Sequence, residues 1–288
     1  MSDLCDLSAV DARRLIGAGE LSPVALLEEC IARIEAINPV INAVVAKDYD
    51  RAIREAVEAE KAVHDIKDLP PLHGIPIGIK DLNATEGLRT TWGSLLFKDH
   101  VPKADEALVA RLRRAGAIIV GKTNTPEFGS GTATNNLVYG PTHNPFDLER
   151  TSGGSSGGSG AALATGMLPL CQGGDTGGSL RNPATWCGVV GFRSTPGLIP
   201  RENRTLNYTH FNVQGPMARS VADTALMMAG CVDDDNRDPL ASPCNPLSFT
   251  GLEATDLGNI RAAWTEDFGG IAPLDDGIRN CFKELLAN

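Results

Sequence analysis

Aromatic side chains are scarce, with Phe, Trp and Tyr together making up 5% of 288 residues. A core built on stacked rings is excluded, so aliphatic and small residues must fill it. Cysteine pairs are missing as well. The seven cysteines (Cys5, Cys30, Cys171, Cys187, Cys231, Cys244 and Cys281) are odd in number, widely scattered and never spaced C-x-x-C. That pattern excludes a disulfide framework and predicts reduced, mostly buried thiols. The five histidines (His64, His73, His100, His143 and His210) show no H-x-x-x-H or H-x-E spacing, so no metal is expected. Positive charge is in deficit: 26 Lys and Arg face 36 Asp and Glu, a formal charge of -10. This sign does not suit a surface that grips phosphate backbones or anionic lipid, which excludes nucleic acid and membrane as direct partners. No run approaches the ~18 apolar residues of a membrane span. The N-terminus MSDLCDLSAVDARR also has no apolar signal core, so a cytoplasmic protein is predicted.

What is present is ordinary in bulk and unusual in one residue. Hydrophobic residues at 42% and charged residues at 22% match a globular chain able to bury a core. Glycine, at 31 residues, is well above its average share of roughly 7%, so backbone conformation is being specified somewhere. The spacing predicts helices near 8–18, capped by Ser8 with Asp11, and near 23–37, where Ser22-Pro23 starts the helix and Asn38-Pro39 stops it. A third follows from Ala104 to Ala115, with Arg111, Arg113 and Arg114 near its C-terminal end. Short apolar runs at Ile75 to Ile79, Ala117 to Val120, Met167 to Cys171 and Val189 to Phe192 read as strands of a covered sheet. Ser220 and Asp223 cap a further helix, and Asp275 to Asn288 reads as an amphipathic one with no closing cap. The fold class is α/β. No repeat or charged linker divides the chain, so one domain is expected.

Three glycine-rich segments compete for chemistry. Gly116 to Thr123 satisfies the phosphate-loop pattern G-x-x-x-x-G-K-[ST], yet its variable residues Ala-Ile-Ile-Val prefer an extended buried strand. The nucleotide reading is rejected on that ground. Ser152 to Gly160 (SGGSSGGSG) has the composition of a linker, but it runs into an apolar segment and then a second such loop, Gly173 to Ser179. Two such loops suggest backbone brought close to a ligand. Gly153 to Gly157 also matches the nucleophile elbow G-x-S-x-G. That motif needs a strand immediately before it, whereas Asp147 to Thr151 is polar, and the one histidine that follows, His210, has no local cue. A serine nucleophile without histidine needs another base, and desolvated lysine is the recurrent substitute. Lys80 closes Gly74-Ile-Pro-Ile-Gly-Ile-Lys80-Asp81. There an apolar strand would carry the amine inward and burial would lower its pKa. The bland alternative is a snorkelling lysine with Asp81 as its surface partner.

Taken together, G-I-P-I-G-I-K-D, G-G-S-S-G-G and G-D-T-G-G-S-L-R resemble the amidase signature family of serine hydrolases, as does the separation of 24 residues between Ser155 and Ser179. Gly121 to Asn124, Pro126 to Phe128, Asn144-Pro145, Cys187 to Phe192 and Gly215 to Arg219 extend the match from the first helix to the 220s. The resemblance implies an α/β fold with a mixed sheet covered by helices on both faces and a signature core over about 71–232. It implies Ser179 as nucleophile, Ser155 as bridging serine after a cis peptide bond, and Lys80 as base. The backbone N–H groups of Thr176, Gly177, Gly178 and Ser179 would form the oxyanion hole, with Ser156 supporting Lys80 and Ser155. Thr132 would touch substrate, and Asp175 and Arg181 would brace the loop.

The activity implied is hydrolysis of a small carboxylic amide without metal or organic cofactor. The rival is the amide-cleaving component of a glutamyl-tRNA(Gln) amidotransferase, which frees ammonia from glutamine for partner subunits; Phe128 to Thr134 looks more like the stand-alone enzymes, for which a homodimer is the partner to consider. Family members commonly continue well past residue 288. The expectation is therefore a C-terminally truncated chain lacking much of the acyl pocket, with an uncovered apolar sheet edge.

Overall fold

Side-chain caps set the helix starts. Ser8 Oγ accepts from Asp11 N at 3.0 Å to open α1 (Ala9–Gly17). Ser22 Oγ accepts from Ala25 N at 3.1 Å to open α2 (Pro23–Ile41), with Pro23 in its first turn. Asn38-Pro39 does not stop α2, as the spacing had suggested. The helix runs on to Ile41 and ends at Asn42, in the left-handed region at φ 57°. The reason is tertiary. The buried Asn38 amide accepts from Ala43 N and Val44 N and donates to Val44 O, each at 2.8 Å, so the side chain replaces the backbone partners of the helix end. The computed structural model describes residues 4–202, 208–233, 235–253, 256, 258, 260, 261 and 263–287.

Beyond α2 the chain runs β1 (Val44–Lys47), α3 (Tyr49–Asp65), β2 (Pro76–Lys80), α4 (Ala107–Arg114), β3 (Ile118–Thr123), β4 (His143–Asn144), β5 (Asp147–Thr151) and α5 (Gly157–Ala164). Then come β6 (Leu170–Asp175), α6 (Arg181–Cys187), β7 (Val190–Gly191), β8 (Val213–Ala218), α7 (Val221–Cys231) and α8 (Asp276–Ala287). The expected C-terminal helix is α8, and Asn288 lies outside the described residues. The six-stranded sheet has the order β1-β3-β2-β6-β8-β7. β2 pairs in parallel with β3 and β6, and the other neighbours are antiparallel, so the fold is α/β with a mixed sheet. Successive residues of a strand point to opposite faces. Every residue of β2, β3 and β8 is buried, so both faces of the central sheet are covered.

Two motif readings meet the structure here. Ile118 to Thr123 is the buried strand β3 and not a phosphate loop; Lys122 donates inward to Asn83 O and, at 2.8 Å, to Thr85 Oγ1. Asp147 to Thr151, polar and largely exposed, is a strand after all: it is β5, paired with β4 in a separate hairpin. The chain divides into two units, Met1–Gly251 and Leu252–Asn288. The first contains both sheets and the apolar core around Ile77, Ile79, Leu163, Leu170 and Met217. The second contains α8, where Arg279 pairs with Asp276 at 2.7 Å and Glu266 at 3.1 Å. Among the described residues no helix is long and apolar enough to cross a membrane.

Candidate active site

The C-terminal end of β2 carries Lys80 into the interior, where the side chain is 1% exposed. Its Nζ lies 2.7 Å from Ser155 Oγ, 2.9 Å from Ser156 Oγ and 3.5 Å from Gly174 O. The strand is held in place by its own backbone: Lys80 pairs with Thr123 of β3, and Lys80 N donates to the buried Gln172 Oε1 at 3.2 Å. Asp81 is not the surface partner of a snorkelling lysine. It is fully buried and accepts from Thr91 N and Oγ1, closing the turn after β2. Among the described residues Lys80 forms no ion pair. Burial drives its pKa down to about 7, against an upward pull from the Asp175 charge.

Ser155 and Ser156 precede α5 on the glycine-serine loop, and the Gly154–Ser155 peptide bond is cis. Close packing dictates the glycines here. A Cβ on Gly158 would run into Asn124 N and Ala43 O, so the first turn of α5 lies directly against the backbone beside β1 and β3. Ser156 makes a closed set of contacts. Its Oγ donates to Gly174 O at 3.2 Å, accepts from Gly174 N at 3.2 Å and faces Lys80 Nζ. Ser159 and Thr123 extend the polar seam, with Oγ to Oγ1 at 2.7 Å and Ser159 Oγ donating to Gln172 O at 2.9 Å.

Ser179 stands in the turn between β6 and α6, half-buried, with its carbonyl accepting from Ser156 N at 3.2 Å. Among the described residues its hydroxyl has no hydrogen-bond partner. Thus the Lys80–Ser155 link is made, and the Ser155–Ser179 link is not formed as a hydrogen bond. Asp175 organises this turn. Its buried carboxylate accepts from Gly178 N at 2.8 Å and Leu180 N at 3.2 Å, and pairs with Arg181 at 3.0 Å and Arg193 at 3.0 Å. Burial pushes the carboxyl up, but the Arg181 bond and the two N–H groups outweigh this and hold its pKa down at about 2. Of the four N–H groups expected at the oxyanion hole, that of Gly178 has a partner within the chain. This N–H donates to Asp175 Oδ1 at 2.8 Å, and the Gly178 φ of +122° is one that glycine adopts without the strain of a side chain. The N–H groups of Thr176, Gly177 and Ser179 remain without partners among the described residues.

Thr132 is exposed, and its backbone crosses Gly154, where a Cβ would come within 3.0 Å of the Thr132 carbonyl carbon. The threonine that holds the serine loop is Thr134, which motif reading missed: its Oγ1 donates to Gly153 O at 2.7 Å and accepts from Gly157 N at 3.1 Å. Gln172 and Arg193 were missed too. The only local signal was polarity at the edge of an apolar run, because their partners lie 92 residues away (Lys80) and 18 away (Asp175).

Comparison with known proteins identifies the family of the chain. The family model described as Amidase matches residues 25–288. The chain is 41% identical over 263 residues to an acylamidase of Rhodococcus erythropolis, covering 91% of this chain and 55% of that protein. It is 40% identical over 263 residues to a glutamyl-tRNA(Gln) amidotransferase subunit of Roseiflexus sp. (strain RS-1), covering 91% of this chain and 53% of that one. The crystal structure of a bacterial aryl acylamidase of the amidase signature enzymes superposes with a TM-score of 0.79 at 33% identity, over 83% of this chain and 50% of the other. The chain spans about half the length of the curated relatives it matches.

Proposed function

Since the chain belongs to the amidase signature family, we propose that it cleaves a carboxylic amide through an acyl-enzyme on Ser179, with Lys80 as the base and Ser155 as the bridge. The observation that carries this reading is a wholly buried amine that has two serine hydroxyls within 2.9 Å and no ion-pair partner among the described residues. In its neutral form Lys80 has two N–H donors and one lone pair. Ser156 Oγ and Gly174 O suit the two donors, because Ser156 already sends its own proton to Gly174 O. The lone pair is then left for the proton of Ser155. As Ser179 Oγ attacks the amide carbonyl, its proton passes to Ser155 Oγ and the Ser155 proton passes to Lys80. When the tetrahedral intermediate collapses the relay reverses, the leaving nitrogen takes the proton and the C–N bond breaks. Water then repeats the attack on the ester, releasing the acid and restoring the Ser179 hydroxyl.

The unpartnered N–H groups of Thr176, Gly177 and Ser179 are the candidate donors to the oxyanion, where loss of one donor typically costs roughly 3–4 kcal/mol. Gly178 serves this hole indirectly, by fixing the turn through Asp175. A fluorophosphonate reagent should label Ser179, and Ser179→Ala or Lys80→Met should abolish both labelling and amide turnover. Labelling that persists at another serine in Ser179→Ala refutes the assignment. Sequence similarity to the amidotransferase supports a second reading, release of ammonia from glutamine for a partner protein. Hydrolysis of glutamine alone among a panel of amides selects that reading, and turnover of simple acyl amides selects the first.

A further inference from the structure

Two guanidinium groups meet the Asp175 carboxylate, and they are anchored differently. Arg181 approaches from the first turn of α6 with its side chain 55% exposed, and it touches only the carboxylate oxygens, at 3.0 and 3.2 Å. Arg193 approaches from the residues just after β7 and is 23% exposed. Its Nη1 donates to the Asp175 backbone carbonyl at 2.6 Å, to Asp175 Oδ1 at 3.0 Å and to Phe211 O at 3.0 Å, and its Nη2 donates to His210 O at 3.2 Å. The backbone beneath it is fixed, because Phe192 N donates to Pro216 O of β8 at 3.2 Å. Arg193 therefore spans three segments: the edge of the sheet, the end of β6 where the Ser179 turn begins, and the chain leading into β8. Arg181 reaches the buried carboxylate from the solvent side and adds charge alone, whereas a forked contact to both a carboxylate and a carbonyl fixes direction as well as charge.

We propose that Arg193 is a positioning residue for amide cleavage: it locks the Asp175 to Ser179 turn so that Ser179 and the free N–H groups of Thr176 and Gly177 face one point. The proposal rests on Ser179 being the nucleophile. Without Arg193, Asp175 retains Arg181 but loses the tie to its own carbonyl, and the turn is released at its start. Lysine at this position keeps a positive charge but cannot reproduce a fork that reaches four acceptors.

The test uses the 288-residue chain with Arg193→Lys, Arg193→Gln and Arg181→Gln, and reads two quantities. The first is the second-order rate of fluorophosphonate labelling of Ser179. The second is amide hydrogen exchange at Gly178 and Leu180, which needs no activity. Both Arg193 variants should label at least tenfold more slowly than the parent and should exchange these two amides at least tenfold faster, with a smaller loss on both readouts in Arg181→Gln. Wild-type labelling and exchange in Arg193→Lys overturn the proposal, and so does an equal loss in Arg181→Gln, since charge on Asp175 would then be all that matters. If the parent chain is not labelled at Ser179 and the exchange result still holds, the nucleophile assignment fails while the anchoring of the turn stands. If exchange is also unchanged, the proposal is wrong outright. Should Arg193→Gln fail to fold, Arg193→Lys supplies both readouts.

Discussion

A lysine amine in water holds its proton to a pH of about 10.4, and at position 80 burial brings that down to about 7 despite the Asp175 charge nearby. The consequence for stability has a definite sign. Between those two values the unfolded chain keeps a proton on this amine that the folded chain has released, so stability rises with pH across that window. One proton of difference corresponds to a slope of about 1.4 kcal/mol per pH unit. Lys80→Met keeps similar volume and cannot titrate, so urea denaturation at pH 7, 8 and 9 should show the parent gaining on the variant by roughly this slope. Parallel pH profiles for the two proteins would mean that Lys80 stays protonated in the fold. In the parent, labelling of Ser179 should climb as the pH passes through about 7 and then level off. At this scale the sequence says a good deal. An apolar strand ending in lysine leaves an inward amine and a snorkelling one both open, and it is the pattern of the two serine loops that selects the first. The commitment of Gly178 N–H to Asp175 and the unbonded Ser179 hydroxyl could not be read from the chain. Both depend on how a five-residue turn folds around a carboxylate held by Arg193.

Local signals describe elements well where the determinants are local. Ser8, Ser22 and Ser220 each cap the helix that follows them in the chain, and each cap forms as the letters suggest. Asn38-Pro39 shows the opposite case: a pair that reads as a stop lies inside α2, because the Asn38 amide finds three partners on the chain that turns back into β1. α3 goes unread although its signal is local, Asp48 capping it by accepting from Arg51 N at 3.1 Å, whereas β8, with Gly215 and Pro216 inside it, is defined by its pairing with β6 and β7. α5 is the sharpest instance of tertiary contact overriding propensity. Its first residues are Gly157 and Gly158, and alanine would improve helix propensity at either by roughly 1 kcal/mol. At Gly158, however, the added methyl would collide with the backbone of Asn124 and Ala43. Backbone atoms cannot rotate away as a side-chain end can, so overpacking dominates. Gly158→Ala should therefore lose roughly 2 kcal/mol or more in chemical denaturation and should slow Ser179 labelling, since Ser155 and Ser156 sit immediately before this turn. A variant as stable as the parent would show that α5 can slide without disturbing the serine loop.

For the whole molecule, the candidate site and the core belong to one stretch of chain. Lys80, Ser155, Ser156, Asp175, Ser179 and Arg193 lie in the unit Met1–Gly251, and so does every side chain of the apolar core. The unit Leu252–Asn288 has a different surface character. On α8, Ile278, Phe282, Leu285 and Leu286 are each at least 43% exposed and recur at the spacing of one helical face, and Trp264, Phe268 and Ile271 are exposed ahead of it. Periodicity alone could identify that helix as amphipathic, but it carries no information on what its apolar stripe meets. An exposed apolar helix face drives self-association in water unless charge opposes it. The formal charge of -10 supplies such repulsion, and its range shrinks to roughly 3 Å at 1 M salt. The 288-residue chain should therefore bind an apolar dye and form larger species as salt is raised, by light scattering. A chain ending at Gly251 should bind less dye and scatter less, while labelling Ser179 within twofold of the parent rate. Loss of labelling on truncation would mean that residues after 251 take part in building the site, and unchanged dye binding would move the sticky surface to the first unit, where Leu96, Leu137, Phe146 and Tyr208 are among the exposed large hydrophobic groups.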